Sequence, residues 1–269
     1  AGTGGFGIKN SSMGYYNSYY LQGVVSVFMA LFGVNFNVYF FLLMKKYAMA
    51  WRNTEVRAYF AIIAGSTLII TLNILGMFPT AFDAFHHAFF AVSSVITTTG
   101  FSTTDFDLWP QLSRCILVLL MIVGACAGST GGGVKVTTFA VIILTIRSVA
   151  QGRDDCVIAE HHIESKTVYR ALTIIVLGAL AAVGSAVVVY YNTSDAVSVV
   201  DAIFESCSAF GTVGLSVGVT ARLKDGAKLL YMAVMFMGRV GPVSLAMSLT
   251  AKPDDNKRKI MPVGHINVG

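Results

Sequence analysis

Between Cys115 and Ile146 the chain runs for 32 residues with a single charge, Lys135. The centre of that run, Gly124-Ala-Cys-Ala-Gly-Ser-Thr-Gly-Gly-Gly133, holds five glycines in ten residues. So apolar a stretch belongs in a bilayer, which about 20 residues suffice to cross. A glycine inside a helix costs about 1 kcal/mol relative to alanine, so the run reads as a helix broken by an irregular loop at membrane depth. Non-helical backbone survives there only when buried in protein or facing a water-filled cavity.

Four more stretches are long and apolar enough to cross: Tyr20–Met44, Ala58–Phe82, Ala171–Ser194 and Leu229–Ala251. Over all 269 residues 55% are hydrophobic and 12% charged, against about 25% charged in a soluble domain. That supply is too small to clothe a water-soluble globule. It argues against a soluble enzyme, a secreted disulfide scaffold, a disordered chain and a nucleic-acid binder. The formal net charge of +5 does not reverse this, because twelve of the nineteen Lys and Arg fall in three patches between apolar runs. These are Lys45, Lys46, Arg52 and Arg57; Arg147, Arg153, Lys166 and Arg170; and Lys252, Lys257, Arg258 and Lys259. Asp154, Asp155, Glu160 and Glu164 dilute the second. All three lie on one side if each unit crosses twice, and that side is then cytoplasmic, with Arg222, Lys224 and Lys228 a mild exception outside. Cys115, Cys126, Cys156 and Cys207 stand singly, without CxxC spacing, and the three in or beside apolar segments read as packing residues.

Two apolar segments are too short to cross, Ala84–Thr104 and Ala202–Thr220. Each starts behind a capping pattern, Thr80-x-x-Asp83 and Ser198-x-x-Asp201, and ends in Thr, Gly, Phe or Ser. They predict short helices that enter the membrane and unwind. Aligning the unwound ends exposes a repeat: Thr3-Gly4-Gly5-Phe6-Gly7, Thr98-Thr99-Gly100-Phe101-Ser102 and Thr212-Val213-Gly214-Leu215-Ser216. One copy reads equally as a helix ending on a left-handed glycine; three copies, each before a spanning run, read as a pore loop. Carbonyls from convergent loops replace a cation's water shell, glycine frees the backbone to aim them, and oxygen-only ligands suit alkali ions.

The segments Ile96–Pro110 (ITTTGFSTTDFDLWP), Gly124–Val136 (GACAGSTGGGVKV), Ser208–Ser216 (SAFGTVGLS) and Met237–Pro242 (MGRVGP) resemble the TrkH subfamily of the Trk/Ktr/HKT potassium transporters. The resemblance spans essentially the whole chain. It implies an all-α integral membrane fold with helix–pore helix–filter loop–helix units around a pseudo-fourfold pore, like a potassium channel. It further implies that residues 1–45 end a second unit, 46–150 form a third and 151–269 a fourth with a cytoplasmic tail. The first unit and the start of the second then fall outside the sequence, which starts with Ala and reads as a fragment.

By that resemblance the potassium site maps onto Thr3, Gly4 and Gly5, onto Thr98, Thr99 and Gly100, and onto Thr212, Val213 and Gly214. The gate maps onto Gly124, Gly128, Ser129, Thr130, Gly131, Gly132 and Gly133, with Arg239 contacting the carbonyls of that loop. On residues alone, the glycines also suit close helix packing. A charge in the middle of a span needs a partner or water, and an ion pair or snorkelling is the alternative for Arg239. Lys135 equally suits a place near the cytoplasmic surface. His86-His87 and His161-His162 are adjacent pairs, which point to different helix faces and bind one ion poorly. Glu205 reads as an acceptor for buried donors.

The function expected is potassium uptake through a gated pore in the cytoplasmic membrane, by a chain that is not an enzyme and carries no cofactor beside the transported K+. Sodium-coupled symport or a mixed Na+/K+ pathway is the alternative, and a non-conducting membrane subunit or an intramembrane enzyme the different class. The resemblance implies a homodimer and a cytoplasmic nucleotide-binding regulatory subunit of TrkA type, with the lipid bilayer around it and no nucleic acid.

Overall fold

The computed structural model describes residues 3–152, 157–158, 161–193 and 197–244. Among them ten α-helices carry the architecture: α1 (Tyr19–Phe32), α2 (Phe36–Leu43), α3 (Tyr47–Trp51), α4 (Thr54–Ile74), α5 (Ala81–Ile96), α6 (Gln111–Val123), α7 (Val136–Ala150), α8 (Ser165–Asn192), α9 (Val199–Gly211) and α10 (Asp225–Val240). The extended structure is one two-residue antiparallel pair, Val157–Ile158 with His161–His162.

Two helices are long and apolar enough to cross a membrane, Thr54–Met77 (α4 with a closing turn) and α8. Both leave large side chains uncovered, among them Phe60, Leu68 and Leu72 on α4 and Val176, Leu180 and Val187 on α8. Apolar surface of this kind is stable facing hydrocarbon and costs about 25 cal/mol per Å² in water. The two short apolar helices are wrapped instead. Along α5 Val92–Ile96 are buried, and along α9 Phe204–Gly211. Hydroxyls close their first turns: Thr80 Oγ1 accepts from Asp83 N (3.1 Å) and Ser198 Oγ from Val200 N (3.3 Å).

The helix pairings recur along the chain. The outer helix α4 lies on α5, and α8 on α9. Each buried helix also touches two inner helices, its own and that of the preceding unit: α5 meets α6 and α1, α9 meets α10 and α6. Polar side chains fasten these joints. His86 Nε2 lies 2.8 Å from Gln22 Oε1 of α1, and His87 Nδ1 lies 2.9 Å from Thr103 Oγ1. No group of three His, Cys, Asp or Glu among the described residues is arranged to hold a metal ion. Arg114 of α6 reaches Asp201 of α9 (3.2 Å) and Asp107 (2.8 Å). Glu205 is buried at 3% exposure and accepts from Ser216 Oγ (2.7 Å), Val217 N (3.1 Å), Thr220 N (3.1 Å) and Thr220 Oγ1.

Two expectations need correction. Tyr20–Met44 is not one continuous helix, because α1 and α2 meet at 93°. Gly33 closes α1, and Asn35 starts α2 with its Oδ1 accepting from Asn37 N (3.0 Å). Gly33 and the Asn35 cap form the elbow. Nor does the last apolar run continue as one helix: α10 stops at Val240, and Gly241 turns the backbone at φ 94°. Arg239 therefore sits in a last helical turn, not at mid-helix. Ala251 and the basic tail patch Lys252, Lys257, Arg258 and Lys259 lie outside the described residues, as do Arg153, Asp154, Asp155, Cys156, Glu160 and Ser194. The 32-residue run is broken as its glycines require, with residues 124–135 separating α6 from α7.

The Glu205 cluster yields a stability prediction. Glu205→Gln sets an NH2 group against one of the two fixed amides, Val217 N or Thr220 N. Each buried donor so stranded costs about 1–3 kcal/mol. Thermal unfolding in detergent is expected to show a lower midpoint for Glu205→Gln, and an unchanged midpoint refutes the assignment.

Candidate functional site

At the ends of α5 and α9 the same local structure appears twice. Thr98 and Thr212 both take left-handed backbone at φ 56°. Thr98 N donates to Val95 O (3.0 Å) and Thr212 N to Ala209 O (3.1 Å). One residue on, Thr99 N donates to Ser94 O (2.8 Å) and Val213 N to Ser208 O (2.9 Å). The serine hydroxyls then brace the far side, Ser94 Oγ donating to Phe101 O (2.7 Å) and Ser208 Oγ to Leu215 O (2.6 Å). Gly100 and Gly214 follow at φ 77° and 86°, and Gly5, on the third copy of the motif, at 76°.

The three loops meet. Gly4 N donates to Thr98 O (3.1 Å) and Gly5 N to Thr99 O (2.7 Å). A Cβ placed on Gly5 lies 2.8 Å from Gly214 O and 3.2 Å from Gly100 O; one on Gly100 collides with Val213 O, and one on Gly214 with Gly4 O. The nine residues mapped from the sequence therefore form one cluster, in which only glycine fits at three equivalent positions. The pattern did not foresee that two carbonyls, of Thr98 and Thr99, are engaged by amides of the neighbouring loop. An amide within reach takes an otherwise unpaired carbonyl in a low-dielectric site.

Directly against this cluster sits the glycine-rich loop. Gly132 N donates to Thr98 Oγ1 (2.9 Å), and a Cβ on Gly132 collides with Thr212 Oγ1, a buried hydroxyl with no hydrogen-bond partner. Two cations hold the loop's carbonyls: Arg239 Nη1 donates to Thr130 O (2.7 Å) and Lys135 Nζ to Gly131 O. Arg239 Nη1 also lies 3.2 Å from Thr3 Oγ1, so one guanidinium touches both the loop and the first motif. Gly133 N donates to Gly238 O (3.3 Å) and Ser129 Oγ to Cys126 O (2.7 Å). Gly124, Gly128 and Gly133 have φ of 63°, 69° and 67°.

The opposite edge of the loop rests on residues that the sequence reading passed over. Cys126 N donates to Gly33 O (3.1 Å), Phe36 N to Gly128 O (3.2 Å) and Thr130 Oγ1 to Phe32 O (3.3 Å). Glu55 Oε1 accepts from Ala127 N (2.5 Å), while Glu55 Oε2 accepts from Asn35 Nδ2 (3.2 Å). An acid in the first turn after Asn53 looks like an ordinary helix start, and nothing in the pattern links it to a loop 72 residues away.

A predominantly helical chain with membrane-length helices, two short buried helices and three converging glycine loops is an integral membrane protein of pore-loop architecture. The family described as TrkH, a cation transport protein, matches residues 2–260, and the chain belongs to that family. It is 35% identical over 167 residues to Ktr system potassium uptake protein B of Vibrio alginolyticus, a match covering 62% of this chain and 36% of the relative. To Trk system potassium uptake protein TrkH of Vibrio parahaemolyticus it is 34% identical over 155 residues, 55% of this chain and 31% of the relative. The crystal structure of the potassium transporter TrkH from Vibrio parahaemolyticus superposes with a TM-score of 0.79 at 26% identity, covering 92% of this chain and 55% of that one. The chain thus spans between about a third and about half the length of the relatives it matches.

The convergence predicts opposite behaviour for two glycines. Gly100→Ala combines positive φ with a collision, and is expected to destabilise the protein by more than about 1 kcal/mol. Gly226, in the first turn of α10, has open space around a Cβ; Gly226→Ala is expected to hold or raise the midpoint. Thermal melts of the two variants beside wild type test this.

Proposed function

We propose that this chain forms most of a gated pore for potassium uptake across the cytoplasmic membrane. The observation that carries the reading is the meeting of the three Thr-x-Gly loops, with carbonyls of Gly4, Thr98, Thr99, Gly100, Val213 and Gly214 brought to one place. Potassium in such a site takes over the carbonyls that Gly4 N and Gly5 N engage, so the loops separate slightly as the ion enters. Thr3, Thr98 and Thr212 supply hydroxyls at the inner end. The α5 and α9 C-termini point their negative dipole ends the same way, each equivalent to about half a charge. K+ is here the cargo, not a resident cofactor, and the chain catalyses no reaction.

The relatives' printed names support potassium as the ion, and the word "system" in them supports a regulatory partner. We extend this to a homodimer with a nucleotide-binding subunit of TrkA type on the cytoplasmic face, where the basic patches and the C-terminus lie. Residues 1–45, 46–150 and 151–269 act as parts of three units. The loop of residues 124–133 acts as the gate, seated under the convergence by Arg239 and Lys135.

Flux of K+ and Na+ into liposomes holding the complete protein tests the reading. Potassium-selective flux is expected in wild type, with selectivity lost in Gly100→Ser. Arg239→Ala is expected to raise resting K+ flux several-fold, because the Thr130 carbonyl loses its partner. Flux that requires both ions together replaces the channel with a symporter. No flux of either ion from folded, inserted protein with its regulatory partner overturns the proposal.

A further inference from the structure

The glycine loop is fastened on two sides, and only one of them faces the converging motifs. The other is the elbow between α1 and α2. Within Phe32–Phe36, three backbone groups and the Asn35 side chain are tied to residues 126–130 or to Glu55: Phe32 O, Gly33 O and Phe36 N directly, Asn35 through the carboxyl of Glu55. Glu55 bridges the two, one oxygen on the loop's Ala127 amide and the other on the elbow's Asn35 amide group. Its own position is set locally. Asn53 caps α4 by accepting from Glu55 N (3.0 Å) and Val56 N (3.3 Å), and this fixes the first turn from which the carboxyl extends. Two chain breaks on different inner helices thus share one acidic pin on a third helix.

We infer that Glu55 and Asn35 are positioning residues of the gate: they lock the glycine loop to the α1–α2 elbow, so that the loop leaves its seat only when the elbow moves with it. The inference rests on the gating role proposed for the loop and adds the place from which that loop is moved. Arg239 and Lys135 hold the loop's carbonyls at the pore, whereas Glu55 holds an amide at the far edge. A force on the elbow or on the start of α4, both beside the Lys45–Arg57 basic patch, reaches the loop through this pin.

The loop carries its own reporter, since Cys126 is buried beside Ala127. In the complete protein with every cysteine other than Cys126 replaced by Ser, the rate at which a water-soluble methanethiosulfonate labels Cys126 reads the seating of the loop. Asn35→Asp sets two carboxyls against each other and is expected to raise the rate at least tenfold. Glu55→Gln combined with Asn35→Asp reverses the roles: the Gln amide donates to the new carboxylate while its oxygen still accepts from Ala127 N. This swapped pair is expected to restore the rate to within about twofold of wild type, a rescue that general loosening of the fold does not produce. A wild-type rate in Asn35→Asp, or no slowing in the swapped pair, overturns the inference. Resting K+ flux in the same variants separates the two readings. Flux that follows the labelling supports both, whereas labelling that follows the pattern without flux keeps the pin and removes the gating role from the loop.

Discussion

Every polar backbone group at membrane depth needs a partner inside the protein, and the rest of this structure is arranged around that demand. A continuous helix meets it alone. Residues 124–135 do not, and their partners are drawn from four other places, the α5 loop through Thr98, the end of α10 through Gly238 and Arg239, the α1–α2 elbow and the first turn of α4 through Glu55, together with Lys135 of the same segment. Each partner suits the group it meets. Cations sit on carbonyls, an anion sits on an amide, and a hydroxyl accepts from Gly132. The loop is irregular in shape yet specified in position.

The same demand explains why the Thr-x-Gly motif repeats in three dimensions as closely as it does. A helix ending inside a bilayer has stranded carbonyls. Here each of α5 and α9 ends on a left-handed threonine, and a serine six residues before the glycine braces the outgoing strand of the loop. The solution is local, so sequence copies become structural copies. What differs between units lies farther out. Glu205 collects four donors behind the α9 loop, whereas in the α5 unit His86 and His87 fasten the helix to Gln22 and Thr103.

This division also marks what the residues alone reveal. The repeat, the broken inner helix, the two buried helices and the role of Glu205 as an acceptor were legible, because each depends on composition or on short spacing. The elbow at Gly33 was not. Gly33 and Asn35, in an apolar run of 25 residues that also holds Gly23 and Asn37, resemble a tolerated defect, and the bend is held by Gly128 and Cys126, more than 90 residues on. The end of α10 was missed for a related reason: Gly241-Pro242 falls inside an apolar run long enough to cross, and only the fold shows that the helix stops at Val240 with the Arg239 guanidinium on the Thr130 carbonyl. Glu55 carried no signal at all, since its partners come from two distant segments.

The interleaved packing of the buried helices bears on how such a chain is made. Because α5 rests on α1 and α6, and α9 on α6 and α10, neither unit completes its own burial. During synthesis α9 emerges before the α10 that covers it, and for that interval its polar C-terminal loop lies uncovered on one side. A unit released early is therefore an unfinished surface that a quality-control protease or a lateral exit from the insertion machinery can exploit. Burial of α9 is thus completed by the arrival of α10.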